Sequence, residues 1–160
     1  MTHALVLLLA LLIGVIAGLR ALTAPAVVAW GGWLDWIHLE NKWSEWVAHP
    51  ITVTVLTILL VAELVTDQLP KTPSRKTPPQ FIVRIITGGF AGAVIGSAFY
   101  HTFSSLGAGM IGAVLGTLGG YEARKRLVAA NGGHDLPVAL AEDVLAVGGG
   151  FLVVYLVTLI

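Results

Sequence analysis

The opening apolar run constrains this chain more than any other feature. Ala4 to Trp30 is apolar except for Arg20 and Thr23, with Pro25 inside it. About 20 apolar residues cross the hydrocarbon layer of a bilayer, so the run is longer than a straight crossing needs. A tilt, or a break between Gly18 and Pro25, is expected. Four further runs follow: Ile51 to Leu69, Phe81 to Tyr100, a short glycine-rich Leu106 to Tyr121, and Val138 to Ile160. Pro50 opens the second at a first-turn position, where its missing N–H is not needed. The polar pentapeptide His101-Thr-Phe-Ser-Ser105 is read as a tight turn between the third and fourth runs. The expected fold is an all-α polytopic transmembrane bundle of about five spans, with residues 1–160 as one transmembrane domain and the lipid bilayer as its partner.

Composition excludes the other broad classes. Nine basic and nine acidic residues make up 11% of the 160, less than half the share of a typical soluble domain. So few charges cannot cover a soluble surface of this size. A hydrophobic share of 56% excludes disorder. The zero formal net charge provides no basic stripe for nucleic acid. Cysteine is absent from the sequence, which removes disulfides, thiolate metal sites and thiol nucleophiles. Met-Thr-His offers no basic region ahead of the first run, so that run is expected to be a span and not a cleaved signal.

Basic residues in short loops set orientation. Lys71, Arg75, Lys76 and Arg84 flank the second-to-third connection, and Arg124, Lys125 and Arg126 follow the fourth run. Five spans place both groups on one side. That side is expected to be cytoplasmic, with the N-terminus inside and the C-terminus outside.

All five tryptophans, Trp30, Trp33, Trp36, Trp43 and Trp46, fall between the first two runs. As a helix, Trp33 to Val47 puts Trp33, Trp36, Ile37, Trp43, Trp46 and Val47 on one side, with Asp35, His38, Asn41, Lys42 and Glu45 on the other. This predicts an amphipathic helix in the outer headgroup layer. The glycines repeat as well. Gly88, Gly92 and Gly96 recur every four residues, as do Gly112, Gly116 and Gly120. Such faces let helices approach closely in lipid and predict contact with each other or with a second copy of the chain, a homo-oligomer. Gly148-Gly149-Gly150 marks a close crossing or an unwound stretch.

Ionisable groups at membrane depth are costly and point to function. Here they are Arg20, Glu63, Asp67, Arg84, Glu142 and Asp143. Glu63 and Asp67 lie four residues apart on one helix face. Four carboxylates face one nearby arginine, plus Arg20 if the first run unwinds towards them and Lys71 or Arg75 if the loop folds inward. That imbalance permits three outcomes: protonated carboxyls in a proton-coupled carrier, a hard cation held by oxygen ligands, or complete internal pairing. The histidines and acids show no zinc or di-iron spacing, and neither a metal nor any other cofactor is expected.

The connection Leu69 to Pro79 holds four prolines, with Lys71, Thr72, Ser74 and Arg75 offering donors at close spacing. It suits a phosphate or lipid headgroup, or serves only to set topology. No Gly-x-Ser-x-Gly elbow accompanies the serines near His101, so no catalytic residue is assigned.

Four motifs carry a family resemblance: Gly-Leu-Arg-Ala-Leu-Thr-Ala-Pro (Gly18 to Pro25), Glu-Leu-Val-Thr-Asp-Gln-Leu-Pro-Lys-Thr-Pro-Ser-Arg (Glu63 to Arg75), Gly-Gly-Tyr-Glu-Ala-Arg (Gly119 to Arg124) and Leu-Pro-Val-Ala-Leu-Ala-Glu-Asp (Leu136 to Asp143). In these the chain resembles a bacterial integral membrane family, domain of unknown function 4126, departing from it at Gln68, where lysine is usual. The resemblance implies a small multi-pass inner-membrane protein but brings no reaction or substrate. It also implies that Arg20, Glu63, Asp67, Arg75, Glu142 and Asp143 belong to motifs. The expected function is a small transporter or channel-like protein for a small ion or polar solute, with its site in the cytoplasmic half. Five short spans enclose little volume, so a homo-oligomer is expected if anything crosses. The alternatives are a structural scaffold whose charges pair internally and, third, an enzyme acting on a lipid headgroup.

Overall fold

The structure is a computed structural model that describes residues 2–20, 22–34, 36–37, 45–66, 78–99, 101–130, 132 and 135–158. Every regular element among them is helical. In chain order these are α1 (Thr2–Leu19), α2 (Thr23–Trp33), a 3₁₀ turn (Glu45–Ala48), α3 (Pro50–Thr66), α4 (Pro78–Ser97), α5 (Thr102–Ala130) and α6 (Asp135–Val157). Prolines lie in the first turns of α2, α3, α4 and α6 (Pro25, Pro50, Pro78 with Pro79, and Pro137). An N–H there has no intrahelical acceptor to lose. Two helices, over Thr102–Leu127 and Leu140–Val157, are long and apolar enough to cross a membrane.

The opening run breaks between Leu19 and Thr23. Pro25 forbids a helix that continues through residue 21, because its ring would strike the carbonyl four residues back. The two pieces then run in opposite directions. α1 lies parallel to α5, with Leu11 beside Gly112 and Val15 beside Gly116, and antiparallel to α6, with Ile16 beside Gly149. α2 lies parallel to α6, with Val27 beside Gly150 and Gly31 beside Val154. It runs antiparallel to α3, since Trp30 bonds Thr57 while Leu22 bonds Glu63. α4 and α5 are antiparallel, Gly88 meeting Gly109 and Gly92 meeting Ser105. The six helices therefore alternate in direction.

This corrects one expectation. A single first crossing would put the chain's ends on opposite sides of the bundle, whereas the start of α1 and the end of α6 lie at the same end. The reversal at Arg20 to Leu22 adds one change of direction to the five-span count.

The small-residue faces are filled from within the chain. A Cβ added at Gly92 would come within 2.5 Å of the Ser105 carbonyl oxygen, and one at Gly88 within 2.9 Å of the Gly109 oxygen. Gly112 and Gly116 pack on the backbone of α1 and not on α4, so α5 presents two small-residue faces, one to each neighbour. Gly18 completes the three-helix contact, held against the backbone of Ala113 to Thr117. α6 stays helical through Gly148 to Gly150, and the triplet marks a close crossing over Ile16 and Val27.

Between the third and fourth runs α4 ends at Ser97. His101 N–H closes the turn on the Gly96 carbonyl, and Thr102 to Ser105 already belong to α5. The helix expected over Trp33 to Val47 is not continuous. α2 stops at Trp33, and Trp36 and Ile37 bend back to donate to the Gly31 carbonyl. Glu45–Ala48 forms a single 3₁₀ turn, and residues 38–44 lie outside the described residues. Ile37 and Val47 are buried in the core, whereas Trp33 and Trp46 are about half exposed. Ile37 and Val47 tie the described parts on either side of residues 38–44 to the core.

Two charged side chains are buried and many large apolar ones are exposed: Arg20 and Arg84 are 1% and 3% exposed, while Ile51, Ile58, Val65, Ile86, Val144 and Leu152 each expose more than half of their surface.

Two predictions follow from the packing. Gly109→Ala should destabilise by about 2–3 kcal/mol or more, because its Cβ meets the backbone of α4, which cannot yield as a side chain tip can. Gly148→Ala, which meets nothing, should be neutral or gain up to about 1 kcal/mol in helix propensity; thermal unfolding in detergent measures both. Reporter tags at residues 2 and 158 should report the same side of the membrane, and opposite sides would contradict the reversal at Arg20.

Candidate functional site: a charged clasp at the break in the first run

A helix that stops inside an apolar bundle leaves carbonyls at its end, and one that starts there leaves N–H groups. Both ends at this break are met by side chains from other helices. Arg84, on α4, donates from Nη1 to the Gly18 carbonyl at 2.9 Å and reaches the Ala17 carbonyl at 3.5 Å. Glu63, on α3, accepts the Leu22 N–H through Oε2 at 2.9 Å. Leu22 is the residue that caps α2 and brings no side-chain cap of its own. A cation thus sits at the negative end of α1 and an anion at the positive end of α2, the arrangement the helix dipoles favour.

Arg20 lies between the two helix ends, 1% exposed. Its Nε and Nη2 both contact Asp143 Oδ1 on α6, and its Nη1 lies 3.6 Å from Glu142 Oε1. Three helices therefore contribute charged side chains to a break contributed by a fourth segment.

Of the six expected site residues, the structure brings Arg20, Glu63, Arg84, Glu142 and Asp143 to the break. Asp67 lies outside the described residues, as do Lys71, Thr72, Ser74 and Arg75. Among the described members, three carboxylates face two guanidinium groups. Arg20 does turn towards the acids on α6. No three His, Cys, Asp or Glu residues among those described converge to hold a metal ion.

Two residues of the neighbourhood were not singled out from sequence. Thr23 and Thr117 are fully buried, and their hydroxyls have no hydrogen-bond partner among the described residues. The signal available for Thr23 was its polarity inside an otherwise apolar run. Thr117 carried no comparable mark.

A second feature lies towards the opposite end. Trp30 Nε1 donates to Thr57 Oγ1 at 2.8 Å, and that hydroxyl in turn donates to the Val53 carbonyl at 2.7 Å. Beside this pair, a cleft of about 340 Å³ is lined by Trp30, Trp33, Pro50, Val53, Thr54, Thr57 and Ile58. Its Thr54 and Thr57 hydroxyls are bonded to backbone carbonyls, which leaves mainly apolar surface.

Residues 7–159 match the family model for Domain of unknown function (DUF4126). The match covers almost the whole chain, and the chain belongs to this family. No curated protein and no solved structure matches it.

The clasp makes a stability prediction. Asp143→Asn should cost about 3–5 kcal/mol, since it removes the charge of the nearer of two carboxylates that face the buried Arg20. Arg126→Ala removes an exposed pair with Glu122 and should cost under about 1 kcal/mol. A double-mutant cycle over Arg20→Met and Asp143→Leu checks the pairing: the double variant should be more stable than either single one.

Proposed function

We propose that this DUF4126 member is a small multi-pass membrane protein that moves a small ion or polar solute, with the clasp at the break of the first run as its site. The observation that carries the proposal is the break itself. A discontinuous helix with both ends facing charged side chains inside a bundle is how transporters build polar sites without exposing backbone to lipid. The many large apolar side chains exposed on α3, α4, α5 and α6 support the membrane setting.

Orientation within the membrane follows from the basic residues. Arg20, Arg84 and the last third of α5 with Arg124 to Arg126 belong to one end of the bundle, the end where α3 stops and α4 starts. The positive-inside rule supports reading this end as cytoplasmic. On that reading, with helices that alternate in direction, both termini lie outside, in place of the cytoplasmic N-terminus read from five spans. A homo-oligomer belongs to the same proposal. With the glycine faces occupied inside the chain, its contacts would be made by the outward apolar faces of α3 and α6.

One observation favours a second reading, a structural scaffold: each charged group described at the break has a partner. Proteoliposomes separate the two. If the clasp is a transport site, the wild-type protein should support a pH-dependent flux of small ions. Glu63→Gln should then lower that flux at least tenfold while the protein still folds. Absence of flux in wild type, together with loss of stability in Glu63→Gln, would select the scaffold.

A further inference from the structure

Among the described residues, α3 is the helix least held by the rest of the bundle. It packs chiefly on α2 and on the 3₁₀ turn before it, and of its described side chains Val53 and Leu60 are the buried ones. α1, by comparison, keeps Val6, Leu9, Ala10, Ile13, Ile16 and Ala17 in the interior. Elements that move are drawn from those with few buried contacts. Contact with α2 is also incomplete over the first half of α3, where the cleft of about 340 Å³ lies between the Trp30 and Trp33 rings and the Pro50 to Ile58 stretch.

The two halves of α3 are attached in different ways. Its start is anchored. The Thr52 hydroxyl donates to the Trp46 carbonyl at 2.8 Å, Trp46 lies against Phe90 of α4 with ring centroids 5.8 Å apart, and Val47 is fully buried. Further along, hydrogen bonds tie it to α2: Trp30 Nε1 donates to Thr57, and the Leu22 N–H donates to Glu63. The first of these can part without stranding the hydroxyl, because Thr57 itself donates to the Val53 carbonyl of its own helix. Glu63 lies within one turn of the end of α3 at Thr66, so a tilt carries its carboxylate towards the headgroup layer and not into hydrocarbon. Between the two bonds lies Ala26, midway from Leu22 to Trp30 on one face of α2 and fully buried. By register it stands opposite Leu60, midway from Thr57 to Glu63.

We propose that α3 is a gate. It pivots about its anchored start, parts Thr57 from Trp30 and Glu63 from Leu22, and opens the break at Leu22 to a solute arriving between α2 and α3. The N-terminus of α2, vacated by the Glu63 carboxylate, then presents the Leu22 N–H to an acceptor atom of that solute. The gate deepens the transport reading and rests on the break being the solute site. A second copy seated on the outward face of α3 would move with it, since both bonds are made on the face towards α2.

Cysteine is absent from the chain, so Ala26→Cys introduces a single thiol, and its alkylation by N-ethylmaleimide in proteoliposomes reads the opening. It should react slowly but to completion while the protein stays folded. Thr57→Val keeps the shape of the side chain and removes the acceptor for Trp30; it should speed the reaction roughly tenfold, the contribution of one hydrogen bond. Thr57→Ser should restore the slow rate. Thr54→Val should leave it unchanged, since that hydroxyl bonds the Pro50 carbonyl of its own helix. Ala10→Cys, equally buried but on α1, reports loosening of the whole bundle and should not accelerate with Thr57→Val. Equal acceleration at residues 10 and 26, or none at residue 26, would overturn the gate. Acceleration confined to residue 26 in a protein that carries no flux would leave the gate standing and remove transport, and flux without that acceleration would do the reverse.

Discussion

The rest of the bundle depends on how a broken apolar helix is satisfied where no water is at hand. Pro25 stops the first run from continuing as one helix, and the unpaired carbonyls and N–H groups that result must find partners within the protein. They find them in Arg84 and Glu63. Because these two residues come from α4 and α3, meeting the backbone at the break also fixes where those helices stand. Arg20, the side chain at the break, fixes α6 in the same way through Asp143 and Glu142. One local interruption in the backbone thereby sets the positions of three other helices.

Glycine makes the same arrangement possible from the other direction. Charges can only close on the break if α1, α4 and α5 come close enough for short side-chain reach. The close approach is backbone on backbone at Gly88, Gly92, Gly109, Gly112 and Gly116. Backbone fit of this kind and buried polar contacts hold helices together even where burial of apolar area contributes little. In this protein the two contributions act at the same place: Gly18 packs on the backbone of α5 while its carbonyl accepts Arg84.

Local chemistry made much of this readable in advance. Apolar run length located the helices, and Pro50 marked the start of α3. The cost of charge at membrane depth picked out Arg20, Glu63, Arg84, Glu142 and Asp143. The tryptophan segment misled, because a helical wheel assumes that the segment is a helix. Ile37 and Val47 are instead drawn into the core on either side of residues 38–44. The glycine stripes were located correctly but their neighbours were not. Spacing of four residues tells which face is smooth and not which helix lies on it, and α5 uses its two faces on α4 and α1 separately.

Sequence alone determined that the chain would be helical and apolar on its outside, that its first run would tilt or break between Gly18 and Pro25, and that a few buried charges would need partners. These are consequences of side-chain volume, backbone sterics and the cost of desolvation, all of which act within a few residues. Direction after the break was decided only by tertiary structure. Proline interrupts a helix equally well in a kink and in a reversal. The choice fell to contacts more than a hundred residues away, Arg20 with Asp143, Val27 with Gly150 and Gly31 with Val154. Those contacts turned a kinked crossing into a pair of antiparallel helices, and with it they brought both ends of the chain to the same end of the bundle.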